Sequence, residues 1–217
     1  MKVLCVAAHP DDEILGAGAT LAKHVMAGDE VQIVLLGSGA TARPDAEASD
    51  VIALRQAARA AAGVIGANVI VGNLPDNRFD SVDMLDVVRT IEMNVQEFEP
   101  EVVYTHAATD LNIDHRVTHE AVLTACRPLP GSSVRKVLAF EVPSSTGWGF
   151  GFQPCVFVDV TREPFARKVK ALECYALEMR PYPHPRSVMG VEVIARTRGM
   201  QAGVDEAEAF VLVREVA

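Results

Sequence analysis

The chain has 217 residues, of which 49% are hydrophobic, 6% aromatic and 23% charged, a composition typical of a globular protein rather than a disordered one. Its formal net charge is −9 and it has no cluster of Lys and Arg, which argues against nucleic acid or an anionic membrane as a partner. Its apolar runs are far too short to cross a bilayer, so we expect no membrane span.

Strand-like and helix-like patterns alternate through the first half of the chain. The apolar run at residues 2–8 predicts a buried strand, and the acidic residues that begin at position 11 do not suit a secretory signal, so we expect a cytoplasmic protein. Apolar residues spaced three and four apart then predict helices, and further apolar runs predict strands. The helices are expected at 13–28, 51–65, 85–98 and 115–126, and the strands at 31–37, 68–73 and 101–106.

The second half of the chain has a less regular pattern. It predicts strands at 134–143, 155–160 and 209–216, and helices at 165–179 and 187–199. A Gly-rich loop, SSTGWGFGFQP, separates the first two of these strands, and a Pro-rich break, RPYPHPR, separates the two helices. We expect residues 1–217 to form a single domain.

The alternation of strands and helices predicts an α/β fold. Parallel pairing with right-handed crossovers gives a Rossmann-like, doubly wound, mostly parallel sheet with helices on both faces. The first four strands fit the order 3-2-1-4, which opens a crevice beside the carboxyl ends of strands 1 and 4. The residues richest in chemistry, HPDDE and THAATDLNIDH, follow these two strands and are therefore predicted to meet at the crevice.

A dinucleotide site is one alternative for the turn after the first strand. Its fingerprint requires Gly-x-Gly-x-x-Gly directly after that strand and an acidic residue at the end of the second. Here Gly16 and Gly18 come a turn into the helix, and the second strand ends in LLGSGA without an acid. The carboxylates of Asp11, Asp12 and Glu13 would also repel a pyrophosphate, so the sequence disfavours a nucleotide.

A metal ion explains the same turn better. His9 and Asp12 are three residues apart around a turn, so both side chains can face one point. His115 is the best candidate for a third ligand, because it begins a helix at the mouth of the same crevice. Two imidazoles and one carboxylate leave positions open for water and substrate, as catalytic zinc requires. The same ligands also suit Fe(II), so the ligand types do not decide between the two metals.

Asp11 is predicted to have a different role from its neighbour Asp12. A carboxylate beside the ligands, but not itself bound, can take a proton from water that the metal has made more acidic. The alternative is that both aspartates only stabilise the start of the helix, where its dipole favours carboxylates. A helix start explains neither His9 nor the second cluster of polar residues, so we favour a catalytic carboxylate.

Three segments of the chain carry a resemblance to a known family. AAHPDDEILGAGATLA, DLNIDHRVTHEAV and the end HPRS…AEAFVLVRE resemble the LmbE/PIG-L family of metal-dependent N-acetylglucosaminyl deacetylases over nearly the whole chain. The resemblance implies a zinc-dependent hydrolase that removes an acetyl group from an N-acetylated amino sugar or its conjugate. It implies that His9, Asp12 and His115 bind the metal, that Asp11 is the general base, and that Asp114 orients an imidazole.

The second motif departs from the family at Asn112, where many members have a histidine near the reacting carbonyl. Asn112 cannot donate a proton as an acid, although it could donate a hydrogen bond to the oxyanion. The leaving amine would then receive its proton from Asp11 or from His184, which could reach in from a neighbouring subunit of a homo-oligomer. An amidase acting on a larger amide such as a thiol–sugar conjugate, and a non-catalytic metal-binding relative, are the alternative functions.

Four further residues are candidates for contacts with substrate, each beside a simpler structural interpretation. By resemblance Arg55 falls where the family places a basic residue that contacts substrate, although a surface arginine would look the same. Asn77 could bind sugar hydroxyls or belong to a capped turn, and His106 could touch substrate or support a ligand from behind. His184 could instead be a surface histidine.

The Gly-rich loop offers one more candidate contact. Trp148, Phe150 and Phe152 could form an aromatic lid over a sugar ring, or belong to an interface or a small core of their own.

Overall fold

A computed structural model describes residues 1–40, 47–149 and 151–217 of the chain. Strands β1 to β7 are Lys2–Ala7, Glu30–Gly37, Asn68–Leu74, Val102–His106, Lys136–Phe140, Val156–Asp159 and Ala207–Glu215. Helices α1 to α6 are Asp12–Met26, Ala48–Ile65, Met84–Phe98, Ile113–Ala125, Glu163–Cys174 and Val188–Ala202. Two short 3-10 turns lie at Phe79–Ser81 and Thr146–Trp148.

The strands form one sheet in the order β3-β2-β1-β4-β5-β7-β6. The pairs from β3 to β5 are parallel, whereas β7 pairs antiparallel with both β5 and β6. The predicted class and the predicted order 3-2-1-4 are therefore confirmed. The reversal between β1 and β4 places the loops that follow these two strands at the same edge of the sheet, as expected for a doubly wound fold.

The core lies on both faces of the sheet because alternate residues of each strand point to opposite sides. Val3, Cys5 and Ala7 of β1 pack in the cluster that includes α1, α2 and α5, while Leu4 and Val6 pack in the cluster that includes α3 and α4. A strand that is buried on both faces is apolar throughout, which explains why the first strand could be recognised as a continuous apolar run.

The glycines of α1 serve helix packing rather than phosphate binding. A Cβ on Gly16 would lie 2.2 Å from an atom of the Phe140 ring, so only glycine allows this close contact between helix and sheet. This agrees with the absence of a nucleotide fingerprint in the sequence.

One predicted helix ends earlier than its apolar pattern suggests. The pattern predicts a helix at 165–179, but α5 ends at Cys174 and the chain continues through turns. The side chain of Tyr175 is fully buried there, and its hydroxyl donates to Glu13 beside the start of α1. The apolar residues beyond Cys174 therefore belong to a connection between α5 and the rest of the core.

Within the described ranges, the structure contains no helix that combines the length and the apolar character needed to cross a bilayer.

Candidate metal centre

The side chains of His9, Asp12 and His115 converge beyond the carboxyl ends of β1 and β4. The candidate ligand atoms of the three residues lie within 4.8 Å of one another. Asp12 Oδ2 is 3.2 Å from His9 Nδ1 and 3.1 Å from His115 Nε2. All three side chains are buried. The first pair comes from the tight turn into α1 and the third from the first turn of α4, so the fold brings the two motifs together.

The ring of His9 is oriented by Asp114. His9 Nε2 lies 2.8 Å from Asp114 Oδ2 and 3.1 Å from Asp76 Oδ1. Asp114 is itself held by the backbone N–H groups of Asn77 and Phe79, which donate to its two oxygens at 2.6 and 2.9 Å. A proton on Nε2 leaves the lone pair of Nδ1 directed towards Asp12. Asp114 thus supports the imidazole of His9, in the first motif, rather than that of the adjacent residue His115.

The ring of His115 is oriented by Asp110, a residue to which the sequence assigns no role. His115 Nδ1 lies 3.1 Å from Asp110 Oδ2, while its Nε2 faces Asp12. Burial lowers the pKa of His115, but the carboxylates of Asp12 and Asp110 outweigh it and raise that pKa to about 9. Asp110 is part of the motif THAATD at the end of β4, yet a lone carboxylate in a loop gives no local signal for such a role.

The residues present fit a divalent cation. Asp12 Oδ1 is buried and has no hydrogen-bond partner among the described residues, so it is a free acceptor within the cluster. Burial raises the pKa of Asp12, but His115 and His9 outweigh it and hold that pKa well below its usual range. One ionised carboxylate with two imidazole nitrogens is the donor set of many zinc and Fe(II) sites.

Among the described residues, two other groups of side chains have similar spacing but are less suited to a cation. They are His106 with Asp110 and His115, and His9 with Asp76 and Asp114. In each group one carboxylate already accepts a backbone hydrogen bond. Asp110 accepts the N–H of Asn112, and Asp114 accepts the N–H groups of Asn77 and Phe79. These carboxylates are better placed to orient the imidazoles than to bind the ion themselves.

Asp11 precedes α1 in an unusual backbone conformation, with φ at 103°. Its N–H donates to Glu13 Oε2 at 3.0 Å, and the Tyr175 hydroxyl donates to Glu13 Oε1 at 2.6 Å. Burial raises the pKa of Asp11 well above its usual range, and the guanidinium of Arg186 lowers it in part. A carboxylate with a raised pKa is suited to accept and later return a proton.

Arg186 is the second supporting residue that the sequence did not identify. Its Nη1 lies 3.1 Å from Asp11 Oδ2 and 3.1 Å from Glu178 Oε2, and its Nε donates to Ser144 Oγ at 2.9 Å. The guanidinium therefore connects the candidate base to the loop after β5 and to the segment after α5. Its signal in the sequence is its place in the motif HPRS, in which His184 is the residue predicted to contact substrate.

Asn112 and Asn77 hold each other at the rim of the cluster. Asn112 Oδ1 accepts the N–H of Asp114 at 2.8 Å, so it caps α4, and its Nδ2 donates to Asn77 Oδ1 at 3.2 Å. Asn77 has a positive φ of 54°, and its backbone N–H donates to Asp114. One proton of the Asn112 amide has no partner in these bonds. Its role towards an oxyanion stays a prediction, as does the contact of Asn77 with substrate.

His106 lies behind the candidate ligands. Its side chain is fully buried, its Nε2 accepts the N–H of Ala8 at 2.9 Å, and its ring stacks on that of His115 at 3.9 Å between centroids. This burial and the stacking favour support of the candidate ligand His115 from behind over direct contact with substrate, and both roles stay predictions.

Arg55 and His184 are the remaining predicted contacts with substrate. Arg55 donates to the carbonyl of Gly72 at 2.8 Å and so connects α2 to β3. His184 is half-buried, its Nδ1 accepts the N–H of Arg186 at 3.0 Å, and its ring centroid is 6.2 Å from that of Trp148. Contacts of Arg55 and His184 with substrate stay predictions. Phe150 of the proposed aromatic lid lies outside the described residues.

Comparisons with known proteins agree with the fold and with the motifs. The family model described as PIG-L, GlcNAc-PI de-N-acetylase, matches residues 4–126. The uncharacterized deacetylase YaiS of Escherichia coli (strain K12) is 30% identical over 176 residues, which cover 79% of this chain and 88% of YaiS.

Two proteins with different activities have solved structures similar to this one. GalB, the 4-carboxy-2-hydroxymuconate hydratase from Pseudomonas putida KT2440, has a TM-score of 0.79 and 24% identity, covering 100% of this chain and 97% of its own. The N,N'-diacetylchitobiose deacetylase from Pyrococcus horikoshii has a TM-score of 0.79 and 20% identity, covering 98% and 84%. At these identities the likeness shows the fold alone.

Proposed function

The chain belongs to the PIG-L family of GlcNAc-PI de-N-acetylases, and from this premise we propose that it is a zinc-dependent hydrolase of an N-acetylated amino sugar or its conjugate. The enzyme class, a deacetylase that hydrolyses an N-acetyl amide, follows from the family. The products are acetate and the free amine. The observation that carries the finer proposal is the convergence of His9, Asp12 and His115 within 4.8 Å, with Asp11 beside them.

We assign the metal to His9, Asp12 and His115, with Fe(II) as the alternative to zinc. A bound ion of this kind polarises a carbonyl oxygen and makes a water more acidic. Asp114 and Asp110 hold the imidazoles with their free nitrogens towards Asp12, so the ligands need little rearrangement.

Asp11 is the proposed general base. It takes a proton from the attacking water, and its backbone position is maintained by Glu13 while its carboxylate is held by Arg186. Asn112 donates a hydrogen bond to the oxyanion through the amide proton that Asn77 does not use. The nitrogen of the leaving amine then receives a proton from Asp11, with His184 as the alternative donor.

Arg55, Asn77, His106 and His184 stay the proposed contacts with the sugar, with support of His115 as the alternative role of His106. The cytoplasmic location, the homo-oligomer and the single domain of residues 1–217 likewise stay predictions.

Two other activities compete with deacetylation. One is hydrolysis of a larger amide, such as that of a thiol–sugar conjugate, at the same centre. The other is hydration of a carbon–carbon double bond, the reaction of the hydratase GalB, although the similarity of this chain to GalB is one of fold alone. All three reactions use an activated water, so the site residues alone do not distinguish them.

The deciding experiment is an assay of the zinc-loaded protein against a panel of N-acetylhexosamines and their conjugates. We expect free amine and acetate to appear in equal amounts from at least one N-acetylated sugar, and Asp11→Asn carrying the same zinc to be nearly inactive. Cleavage of larger amides alone would favour the amidase, and hydration of an enoate without amide cleavage would favour the hydratase. Zinc binding with no reaction in any arm would favour a non-catalytic relative.

A further inference from the structure

The 3-10 turn Thr146–Trp148 is attached to the candidate metal centre through one carboxylate. The hydroxyl of Thr146 donates to Asp110 Oδ2, and that of Ser145 donates to the same oxygen at 3.0 Å. His115 Nδ1 lies 3.1 Å from this oxygen. A single carboxylate oxygen therefore contacts both a candidate metal ligand and the loop that follows β5.

Asp110 is held in place from its other side as well. Its Oδ1 accepts the N–H of Asn112 at 2.9 Å, just before α4 begins, and its own N–H donates to Ala107 at 3.3 Å. The residue is only 2% exposed. The carboxylate thus has donors on both oxygens and little freedom to turn away from His115.

The 3-10 turn places Trp148 at the surface beside the candidate centre. Thr146 Oγ1 accepts the N–H of Val142 at 2.8 Å, and the N–H of Trp148 donates to Ser145 at 3.2 Å. Trp148 is 60% exposed and meets His184 edge-on. Because the link from Asp110 to Thr146 fixes the base of this turn, the exposure of the indole depends on a contact that also reaches His115.

We propose that Asp110 is a positioning residue that couples the metal centre to the Trp148 turn. It fixes His115 with Nε2 towards Asp12, and through Thr146 it keeps the turn closed against the centre. The inference rests on the proposed assignment of His115 as a metal ligand. Binding of the ion and ordering of the turn then favour each other, because both require the same orientation of one carboxylate.

An asparagine at this position tests the coupling. In Asp110→Asn one oxygen becomes an NH2 group, which faces a donor whichever way the amide is turned, since both oxygens of Asp110 accept hydrogen bonds. We expect the affinity for zinc to fall by about 10- to 100-fold, the usual effect of losing a partner that orients a metal-bound imidazole. Zinc affinity is measured by competition with a chromophoric chelator.

The second readout is the fluorescence of Trp148, the only tryptophan of the chain. In the unmodified protein we expect added zinc to reduce quenching of the indole by acrylamide. Thr146→Val should abolish this zinc-dependent protection and, because the coupling is reciprocal, also weaken zinc binding, but by less than Asp110→Asn does, since the contact from Asp110 to His115 remains. Thr124→Val, which removes an exposed hydroxyl bonded to Glu120, is the matched control and should change neither readout.

The outcomes separate this inference from the proposed function. Failure of the unmodified protein to bind zinc would contradict the proposed function itself. If the unmodified protein binds zinc and Asp110→Asn binds it equally well, the positioning role is wrong. If zinc leaves the quenching of Trp148 unchanged in the unmodified protein, the coupling is wrong, and this arm does not depend on whether the Asp110 variant folds.

Discussion

The parallel strands and the chain beyond β5 contribute different parts of the candidate centre. The parallel side, β3-β2-β1-β4, supplies the three candidate ligands and the candidate base from the loops at the carboxyl ends of β1 and β4. The chain beyond β5 supplies side chains that hold these residues in place, namely Thr146, Tyr175 and Arg186. The chemistry thus lies in two short turns. Part of its support comes from Glu13, Asp110 and Asp114 near these turns, and the rest comes from segments distant in sequence.

This difference has a physical origin. A tight turn from a strand into a helix fixes the relative positions of His9, Asp11 and Asp12 by local backbone geometry. The orientation of each side chain depends on hydrogen-bond partners that only tertiary folding brings near. Substitutions in the turns should therefore affect metal and chemistry, whereas substitutions beyond β5 should affect rate and stability with the metal retained.

The largest effect is expected from loss of a candidate ligand. His9→Ala, Asp12→Ala and His115→Ala should each weaken zinc binding by more than the roughly 10- to 100-fold typical of an outer hydrogen-bond partner. Zinc content after dialysis, measured by elemental analysis, checks the expectation. His24→Ala is the control, because His24 pairs with Asp29 and Tyr104 away from the centre. Stoichiometric zinc in all three ligand variants would contradict the ligand set.

Replacement of the candidate base should separate chemistry from metal binding. We expect Asp11→Asn to keep its zinc and to lose about 10²- to 10⁴-fold in kcat, the usual contribution of a general base. The measurement is acetate release by zinc-loaded enzyme at saturating substrate. Asp205→Asn, the same substitution at an exposed position, should be as active as the unmodified protein. An Asp11→Asn variant with near-normal turnover would contradict the assigned role.

The parallel side of the molecule could be predicted from the sequence because its signals are local. Apolar runs and helical spacing predicted the order 3-2-1-4, and this order placed the turn after β1 next to the start of α4. Asp110 and Arg186 could not be predicted in the same way. Asp110 has its role because Nδ1 of His115 points towards it. Arg186 has its role because the segment after α5 folds back onto Asp11. Neither relation leaves a periodic pattern in the chain.

A smaller effect is expected at Arg186, in the chain beyond β5. Arg186→Met removes the guanidinium that lies between the buried carboxylates of Asp11 and Glu178, and should lower the free energy of unfolding by about 1–3 kcal/mol. We expect zinc content to be unchanged and kcat to fall, with partial recovery in Arg186→Lys. Urea unfolding and acetate release are the measurements.

Arg167→Met is the matched control for Arg186→Met. Arg167 pairs with Glu163 on the surface of α5, so its loss should cost no more than about 0.5 kcal/mol. A loss of zinc in Arg186→Met would mean that the segment after α5 helps to build the metal centre, and the division between the two sides of the molecule would be wrong.

The smallest effect on turnover is expected at Tyr175, whose hydroxyl donates to Glu13 beside the candidate base. Tyr175→Phe leaves the buried Glu13 Oε1 without the hydroxyl that donates to it at 2.6 Å, and should cost about 1–3 kcal/mol in the free energy of unfolding. Zinc content should not change, and kcat should fall less than in Arg186→Met, because Arg186 still holds the Asp11 carboxylate.

Tyr182→Phe, at a residue that is 60% exposed, is the control and should change stability by less than about 0.5 kcal/mol. Equal stability of the two tyrosine variants would show that the Glu13 carboxylate does not need this hydroxyl. The backbone of Asp11 would then owe its conformation, with φ at 103°, to the turn alone.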